Sequence, residues 1–594
     1  MWVSHAERPL HVNELCHALG VEGSTDLDIR NLPATETLLA CSLGLVTVEK
    51  SSSTIRLVHY TLKEYLFHSP DLFIKPHSII AEVCLTYLNF RHVRSCLPAL
   101  NSAPSSAPFV EYASCYWGTH ARRENTETVE ALALQLLDGY DKHISSKILL
   151  SRGLEYRDRP FDLEEIPRGF TGLHGAAYLG YVEVVVALLE TNKWDVQAAD
   201  FHGNTAISWA ARRGHEAVVW VLLQRNDVNP DKANKRNETP LLQAAANGYE
   251  GVVRLLLERK DVNPDKPDES SQTPLSRAAK NGHEGVVRVL LERNDVGPNK
   301  ADKYNQTPLL RASTNGHEGV MRILLERNDV NPDKADSWNR TPLFWAAAKG
   351  HEGVVRILLE RGDVNPNISD TPFGQTPLSR AAENGHEGVV RVLLERNDIG
   401  PDKADKYNQT PLLRASTKGH EGVVRILLER GDVNPNISDT HFGQTPLSRA
   451  AENGHEGVVR VLLERNDVGP DKADKYNQTP LLRASTNGHE GVVRILLERN
   501  DVNPDKADSW NKTPLFWAAA KGHEGIVRML LERNDVGPDT PDTKCQTPLR
   551  SPTALLSEHV GLVSKHAPSL QPTKLSSPEP SEISESPSKK PPWF

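Results

Sequence analysis

Histidine beside glutamate is the raw material of zinc sites. The pair recurs nine times here, at His215, His283, His317, His351, His386, His420, His455, His489 and His523. Zinc holds all its ligands at about 2 Å, whereas equivalent residues of stacked helical units stand about 8 to 10 Å apart. The surrounding words read mostly His-Glu-Gly-Val-Val, without the second histidine that a His-Glu-x-x-His site requires. These residues are therefore expected to be structural, at the start of a helix. The six cysteines (Cys16, Cys41, Cys84, Cys96, Cys115, Cys545) show no Cys-x-x-Cys spacing, which indicates neither a zinc cluster nor a disulfide framework. No Gly-x-x-x-x-Gly-Lys-Ser/Thr phosphate loop and no Gly-x-Ser-x-Gly elbow occurs. The expectation is a protein with no catalytic residue, no cofactor and no metal, and not an enzyme.

What varies between copies of the repeated text points to binding instead. Three residues before successive threonines sit Tyr304, Trp338, Phe373, Tyr407, Phe442, Tyr476 and Trp510. Four residues after them sit Arg277, Arg311, Trp345, Arg380, Arg414, Arg449, Arg483 and Trp517. Aromatics and arginine dominate the hot spots of protein interfaces, so both rows are candidate partner-binding residues. Each also has a plain structural explanation. A tip aromatic packs on its neighbour, and an arginine covers the adjacent helix with its stem or pairs with a carboxylate such as Glu383 or Glu452. Aromatic and basic rows also serve single-stranded nucleic acids. Residues 376 to 409, however, hold five basic and six acidic side chains, so the charge nearly cancels and a protein or peptide partner is favoured, with no nucleic acid.

These rows need a scaffold, and the chain writes one twelve times. Thr-Pro-Leu or a close variant recurs at Thr171, Thr205, Thr239, Thr273, Thr307, Thr341, Thr376, Thr410, Thr445, Thr479, Thr513 and Thr547, 34 residues apart and twice 35. Such a period marks an array whose short units bury apolar surface only by stacking. In "TPLLRASTNGHEGVVRILLERNDVNPDKAD", Thr479 predicts an N-cap, Pro480 a first helical position and Gly488 a left-handed helix end. Val492, Ile495 and Leu496 form the apolar stripe of a second short helix. The Asn-, Asp- and Pro-rich remainder predicts a turn and an extended finger.

The words "TPLSRAAENGHEGVVRVLLERNDV" resemble the ankyrin repeat, T-P-L-H-x-A with Gly-His between two antiparallel helices and a β-hairpin loop. The likeness covers residues 169–547, about eleven full units and a truncated twelfth. It implies a mainly α, elongated right-handed solenoid of helix-turn-helix plus β-hairpin units. It also implies a concave face, lined by fingertips and first helices, on which both rows would meet a partner. The His of T-P-L-H survives only at His174, which predicts rearranged hydrogen bonds between repeats. HLEVV is here HEGVV.

Ahead of the array, "RPLHVNELCHALGV", "TLKEYL" and "IIAEVCLTYL" are helical patterns, and "GLVTVEKSSSTIRLVHY" alternates like two strands around a Ser-rich turn. Helices with one β-hairpin outline a winged-helix-like segment over 1–95, followed by a helical connector over 96–168. With "FVEYASCYWGTHA" and "GFTGLHGAAYLGYVEVVVALLE", these words resemble the region after the nucleotide-binding module in fungal NACHT-ankyrin proteins, NLR-like members of the STAND class. The resemblance implies the sensor part of a non-self-recognition or signalling system. The ATPase has no counterpart here, and two alternatives stay open: it lies upstream of Met1 in a longer product, or this is a derived protein without it. A passive structural spacer is a further reading. Residues 1 to 90 carry six basic against ten acidic side chains, which disfavours a DNA-reading wing.

With 69 basic and 78 acidic residues the whole chain is mildly acidic, which gives no pull toward nucleic acid or an anionic membrane. No stretch reaches the roughly 18 apolar residues of a membrane span, and "MWVSHAERPL" lacks the apolar core of a signal peptide. A cytoplasmic or nuclear protein with no membrane partner is expected. In that setting Arg361-Gly362-Asp363, Arg430-Gly431-Asp432 and triplets such as Asn305-Gln306-Thr307 or Asn367-Ile368-Ser369 read as helix ends, glycine caps and turns. Residues 548–594 are rich in Ser and Pro without apolar periodicity, which predicts a disordered tail. Residues 376–444 and 445–513 are close to a duplicated 69-residue pair.

Overall fold

The computed structural model describes residues 1–21, 27, 32–69, 72–95, 106–153, 169–191, 193–537, 541–544 and 546–547. They fall into two compact units, one of residues 1–450 with 457–468 and one of 451–456 with the chain from 469. The expected tail, 548–594, lies outside the described residues, as do Cys96, Cys545 and 154–168 of the connector.

The first unit opens with α1 (Trp2–His5), α2 (Val12–Leu19), α3 (Thr35–Cys41), the strands β1 (Val46–Glu49) and β2 (Thr54–Leu57), and α4 (Tyr60–Phe67). The strands pair antiparallel, Val46 opposite Leu57 and Glu49 opposite Thr54, so the Ser-rich words form the turn of the wing. Then come α5 (Pro76–Asn89), α6 (Arg91–Arg94), α7 (Val110–Arg123), α8 (Glu127–Leu137) and α9 (Ile144–Gly153). Tyr87 on α5 and Tyr112 on α7 are completely buried, with Phe109 edge-on to the first and stacked on the second. A histidine joint ties α1, α5 and α7. His77 Nδ1 lies 2.8 Å from His120 Nδ1, whose Nε2 meets the Tyr112 hydroxyl at 2.9 Å, and the His5 ring packs edge-on to His77. Glu124 caps α5 by accepting the amides of His77 and Ser78 at 2.8 and 3.0 Å.

α8 and the 3-10 turn Tyr140–Lys142 close the start of the array. The first repeat reads Thr-Gly-Leu-His-Gly because space forbids anything larger. A Cβ on Gly172 would stand 2.4 Å from the Leu137 carbonyl, and one on Gly175 2.6 Å from the Tyr140 ring.

Eleven helix pairs follow among the described residues, from Gly172–Leu179 with Val182–Glu190 to Pro514–Lys521 with Glu524–Leu531. Each helix is about two turns, too short to persist in water without neighbours. In the second unit Thr479 Oγ1 accepts the Leu482 amide at 3.2 Å, Pro480 takes the first helical position and Gly488 closes the helix at φ 82°. Val492, Ile495 and Leu496 are buried, as their spacing predicts. Burial of such stripes supplies about 25 cal/mol per Å² of apolar surface, and here it comes both from the paired helices of one repeat and from the stacking of repeats.

Two ties recur at fixed sequence intervals. The histidine series reaches back one repeat: His317 Nε2 donates to the Lys280 carbonyl at 2.9 Å, His351 to Thr314 at 3.1 Å and, in the second unit, His489 to Glu452 at 2.9 Å. The departure from HLEVV to HEGVV makes room. A Cβ on Gly285 would fall 2.1 Å from Glu250 Oε2, and one on Gly319 1.8 Å from Glu284 Oε1. The glycine caps expected at Gly362 and Gly431 are not formed, since neither glycine has positive φ. Instead Arg361 holds Asp363 at 2.7 Å and donates to the Leu325 carbonyl of the preceding repeat at 3.0 Å.

Candidate recognition surface

Most fingers are organised by one buried aspartate, and the finger 234–239 by Asn234, which accepts the amides of Arg236 and Glu238 at 2.9 Å. In the finger 302–307, Asp302 Oδ1 accepts the amides of Tyr304 and Gln306 at 2.9 and 3.0 Å, and Asn305 turns the chain at φ 60°. Asparagine tolerates that left-handed conformation better than most residues. Asp302 Oδ2 accepts from Arg311, nine residues on, with Nε at 3.1 Å. The finger is thus an Asx turn locked by a side-chain donor, and its carboxylate faces inward.

The row beginning at Arg277 is that donor. Arg277 meets Asp268 at 2.6 Å, Arg414 meets Asp405, Arg449 meets Asp439 at 2.8 Å and, in the second unit, Arg483 meets Asp474 at 2.6 Å. Where tryptophan replaces arginine its indole N–H does the same work: Trp345 to Asp336 at 3.1 Å and Trp517 to Asp508 at 2.9 Å. Arg380 is the exception, pairing with Glu383 at 2.8 Å, and Glu383 also takes Arg414 at 3.0 Å. Arg483 likewise reaches Glu452 at 2.9 Å. All eight side chains are half-buried. Two of these acids differ in the direction of their shift. Burial raises the Asp200 carboxyl, whose donor is the neutral indole of Trp209. Burial acts the same way on Asp302, but the Arg311 guanidinium and the finger amides outweigh it and hold the carboxyl below its ordinary range.

The aromatic row is placed differently. Tyr304, Trp338, Phe373 and Tyr407 in the first unit, and Tyr476 and Trp510 in the second, leave 41 to 47 % of their surface exposed, whereas Phe442 is half-buried under Arg449. Their backbones are fully employed. The tip carbonyl of each finger accepts the amide of the next: Ser337 to Tyr304 at 3.0 Å, Thr371 to Trp338 at 2.9 Å, Lys406 to Phe373 at 2.8 Å and Thr440 to Tyr407 at 2.9 Å. The second unit repeats this with Ser509 to Tyr476 at 2.9 Å. Tip asparagines add a rung, Asn305 Nδ2 donating to the Ala335 carbonyl at 2.8 Å. Two pairs of rings stack, Tyr304 on Trp338 with centroids 6.4 Å apart and Tyr476 on Trp510 at 5.8 Å. Arg340 lies between Trp338 and Trp345, 4.5 and 4.4 Å from their ring centres, within cation–π range.

These bonds replace the lost histidine. At His174 the ring still bridges to the next finger, Nε2 donating to the carbonyls of Ala198 and Asn204 at 3.1 and 3.2 Å. Later repeats carry Ser, Leu or Phe there, and the donor has moved one residue on, to the arginine or tryptophan that serves its own finger. The aspartates were missed from sequence although a signal existed. Finger acid and helix donor stand nine residues apart, Asp200 with Trp209 and Asp302 with Arg311, whereas Asn234 is followed at that distance by Gln243, whose amide donates to Asn204 at 3.0 Å. On the winged-helix side, α3 carries Glu36 and no lysine or arginine.

Family comparisons agree with this architecture. Ankyrin-repeat models match residues 120–234, 223–302, 293–370, 362–439, 432–508 and 510–543, and a model described as the GPI inositol-deacylase winged helix domain matches residues 1–73. The chain belongs to the ankyrin-repeat family, as a mainly helical solenoid behind an N-terminal winged-helix domain. No curated protein matches. Among solved structures, the human ASB11 ankyrin repeat domain shares 26 % identity over 38 % of this chain and 98 % of that one, with a TM-score of 0.35. The fold defines a protein–protein interaction module. Among the described residues no helix is long and apolar enough to cross a membrane.

Proposed function

We propose that the chain recognises a protein or peptide through the exposed fingertip rings, as the sensor part of an NLR-like non-self-recognition or signalling system. The observation that carries this is the division of labour within each finger. Aspartate, tip amide, tip carbonyl and asparagine are committed to the scaffold, while every tip ring of the row but Phe442 keeps 41 to 47 % of its surface exposed, and exposed aromatic rows have the composition of binding hot spots. The helix row of Arg277, Arg311, Trp345, Arg380, Arg414, Arg449, Arg483 and Trp517 frames the surface and adds the outer edges of its guanidinium and indole groups. The likeness of residues 1–73 to a winged-helix family supports the signalling context, with an ATPase supplied by a longer product or by a separate chain.

Substitution of the tips tests this reading better than substitution of the arginines, because an arginine leaves a buried aspartate behind. Tyr304→Ser, Trp338→Ser and Tyr407→Ser together should abolish capture of the partners that the unaltered chain recovers after crosslinking in cell extract. The thermal transition followed by circular dichroism should stay in place. Recovery of every partner at unchanged yield would sink the proposal and leave the spacer reading.

A further inference from the structure

Charge is sorted by element along one run of the first unit, the fingers 302–307, 336–341, 370–376 and 405–410 with the first helix that follows each. These elements hold eight basic and five acidic side chains. None of the acids is open to a ligand. Asp302, Asp336, Asp370 and Asp405 are buried in their fingers, and Glu383 is held by Arg380 and Arg414. Arg311, Arg340 and Arg414 are engaged by the buried aspartates. Lys303, Lys349, Lys406 and Lys418 are exposed, and none of the four meets a carboxylate among the described residues. Lys303 stands 5.4 Å from the centre of the Tyr304 ring. Lys406 donates to the carbonyls of Thr371 and Pro372, which fixes its ammonium at the tip without neutralising it. Lys349 and Lys418 lie four residues beyond Trp345 and Arg414, on the same side of their helices. The acid surplus is elsewhere. The second helices of these repeats, with their caps, each carry two exposed glutamates to one arginine, as in Glu352, Arg356 and Glu360. The near-cancellation of charge in the sequence of a repeat thus hides a basic fingertip side and an acidic second helix.

The exposed rings of Tyr304, Trp338, Phe373 and Tyr407 stand one to a finger among these lysines. Adjacent repeats are spaced by about 8 to 10 Å, and an extended chain rises about 3.3 Å per residue. Every third residue of an extended peptide therefore meets a new finger. Lys303 and Lys406 lie on the outer two fingers of the run, each beside a tyrosine. The middle two offer Trp338 and Phe373 and no lysine. Arg340, the cation between them, is enclosed by Trp338 and Trp345 and bonded to Asp336.

Resting on the fingertip reading above, we propose that the segment recognised here is acidic and extended. It sets one carboxylate at Lys303, a second about nine residues away at Lys406, and apolar side chains between them on Trp338 and Phe373. Lys349 and Lys418 draw further acids toward the first helices. A nucleic acid strand fits less well, since it brings a phosphate with every nucleotide and the middle fingers have no open cation to meet them. Charge steers an acidic segment to the fingertip side and away from the glutamates of the second helices.

The test pans a phage-displayed library of random peptides, about twelve residues long, on the immobilised full chain. Enriched peptides should carry Asp or Glu about nine residues apart with apolar residues at every third position between. Lys303→Glu, Lys349→Glu and Lys418→Glu together should weaken binding of the enriched peptides about ten-fold by fluorescence anisotropy, as expected for the loss of a few surface ion pairs. The same triple variant, panned afresh, should enrich basic peptides, and its circular dichroism transition should match that of the unaltered chain. Enrichment without an acidic bias, acidic peptides indifferent to the triple change, displacement of them by oligothymidylate at lower concentration, or no enrichment at all would each overturn the proposal. Neutral peptides that are lost on Tyr304→Ser, Trp338→Ser and Tyr407→Ser would overturn it while leaving the fingertip reading in place. Peptides that survive those three changes would remove the fingertip reading too, so the two fail distinguishably.

Discussion

At the scale of single residues, the finger aspartate and its donor decide what the arginines are for. Arg311→Ala would leave Asp302 ionised, buried and short of its charged partner, which costs about 3 kcal/mol by analogy with broken buried pairs. Arg311→Trp keeps a donor for the same oxygen, as Trp345 and Trp517 do for theirs, and should cost under about 1 kcal/mol, the worth of a typical hydrogen bond. Hydrogen exchange of residues 300–316 would separate the two variants, and equal losses would contradict the scaffold role. Titration provides a second check. Burial pulls His120 down to about 3 and His143 and His174 down to about 4. A histidine kept neutral in the fold stabilises above its unfolded pKa and loses that contribution as the pH falls from about 6.5 toward its folded value, about 2 kcal/mol each by pH 5. Urea midpoints for the N-terminal region should therefore fall between pH 7 and 5, and a flat profile would show that these rings are solvated. The tip aromatics and helix arginines were legible in the sequence as rows. Their different environments were not, because the deciding partner, the aspartate nine residues earlier, looks like any turn residue until the finger closes around it.

The elements were largely legible because each end carries its own chemistry. Threonine with proline starts the first helix, a left-handed glycine ends it, and Val, Ile and Leu at helical spacing mark the second. The fingers were harder: their extended path comes from a side chain and a neighbouring finger, with no regular strand to leave a period of two. Two glycines of one repeat, Gly282 at the end of the first helix and Gly285 in the second, show how an apparent defect at this scale is a fit. Gly282 at φ 79° faces the His317 ring, and Gly285 faces the movable end of Glu250. Gly282→Ala should cost about 1 to 3 kcal/mol, since the backbone conformation and the ring both resist it. Gly285→Ala combined with Glu250→Ala should recover up to about 1 kcal/mol of helix propensity. Thermal melts of the two variants should shift in opposite directions, and a shared downward shift would remove the glutamate-pocket explanation.

Across the whole molecule, stability is a sum over neighbours, because each repeat touches little beyond the next. The closing contact of Tyr140 on Gly175 should then matter locally. Tyr140→Ala opens a cavity worth about 3 kcal/mol or more, and it should speed exchange in residues 172–190 while leaving 308–325 unchanged; uniform acceleration would mean the first unit unfolds as one. Each kind of tie described above recurs at its own interval, His317 to Lys280 and His351 to Thr314 alike, so among the repeats after the first the fit does not depend on rank in the series. An unequal crossover between copies, for instance one joining Gln375 to Thr445, therefore leaves a junction spelled like those already present. Heredity can lengthen or shorten the array by whole units at little cost to folding. The residues free to drift meanwhile are the rings at the fingertips, so the structure separates what must be copied faithfully from what can be renewed.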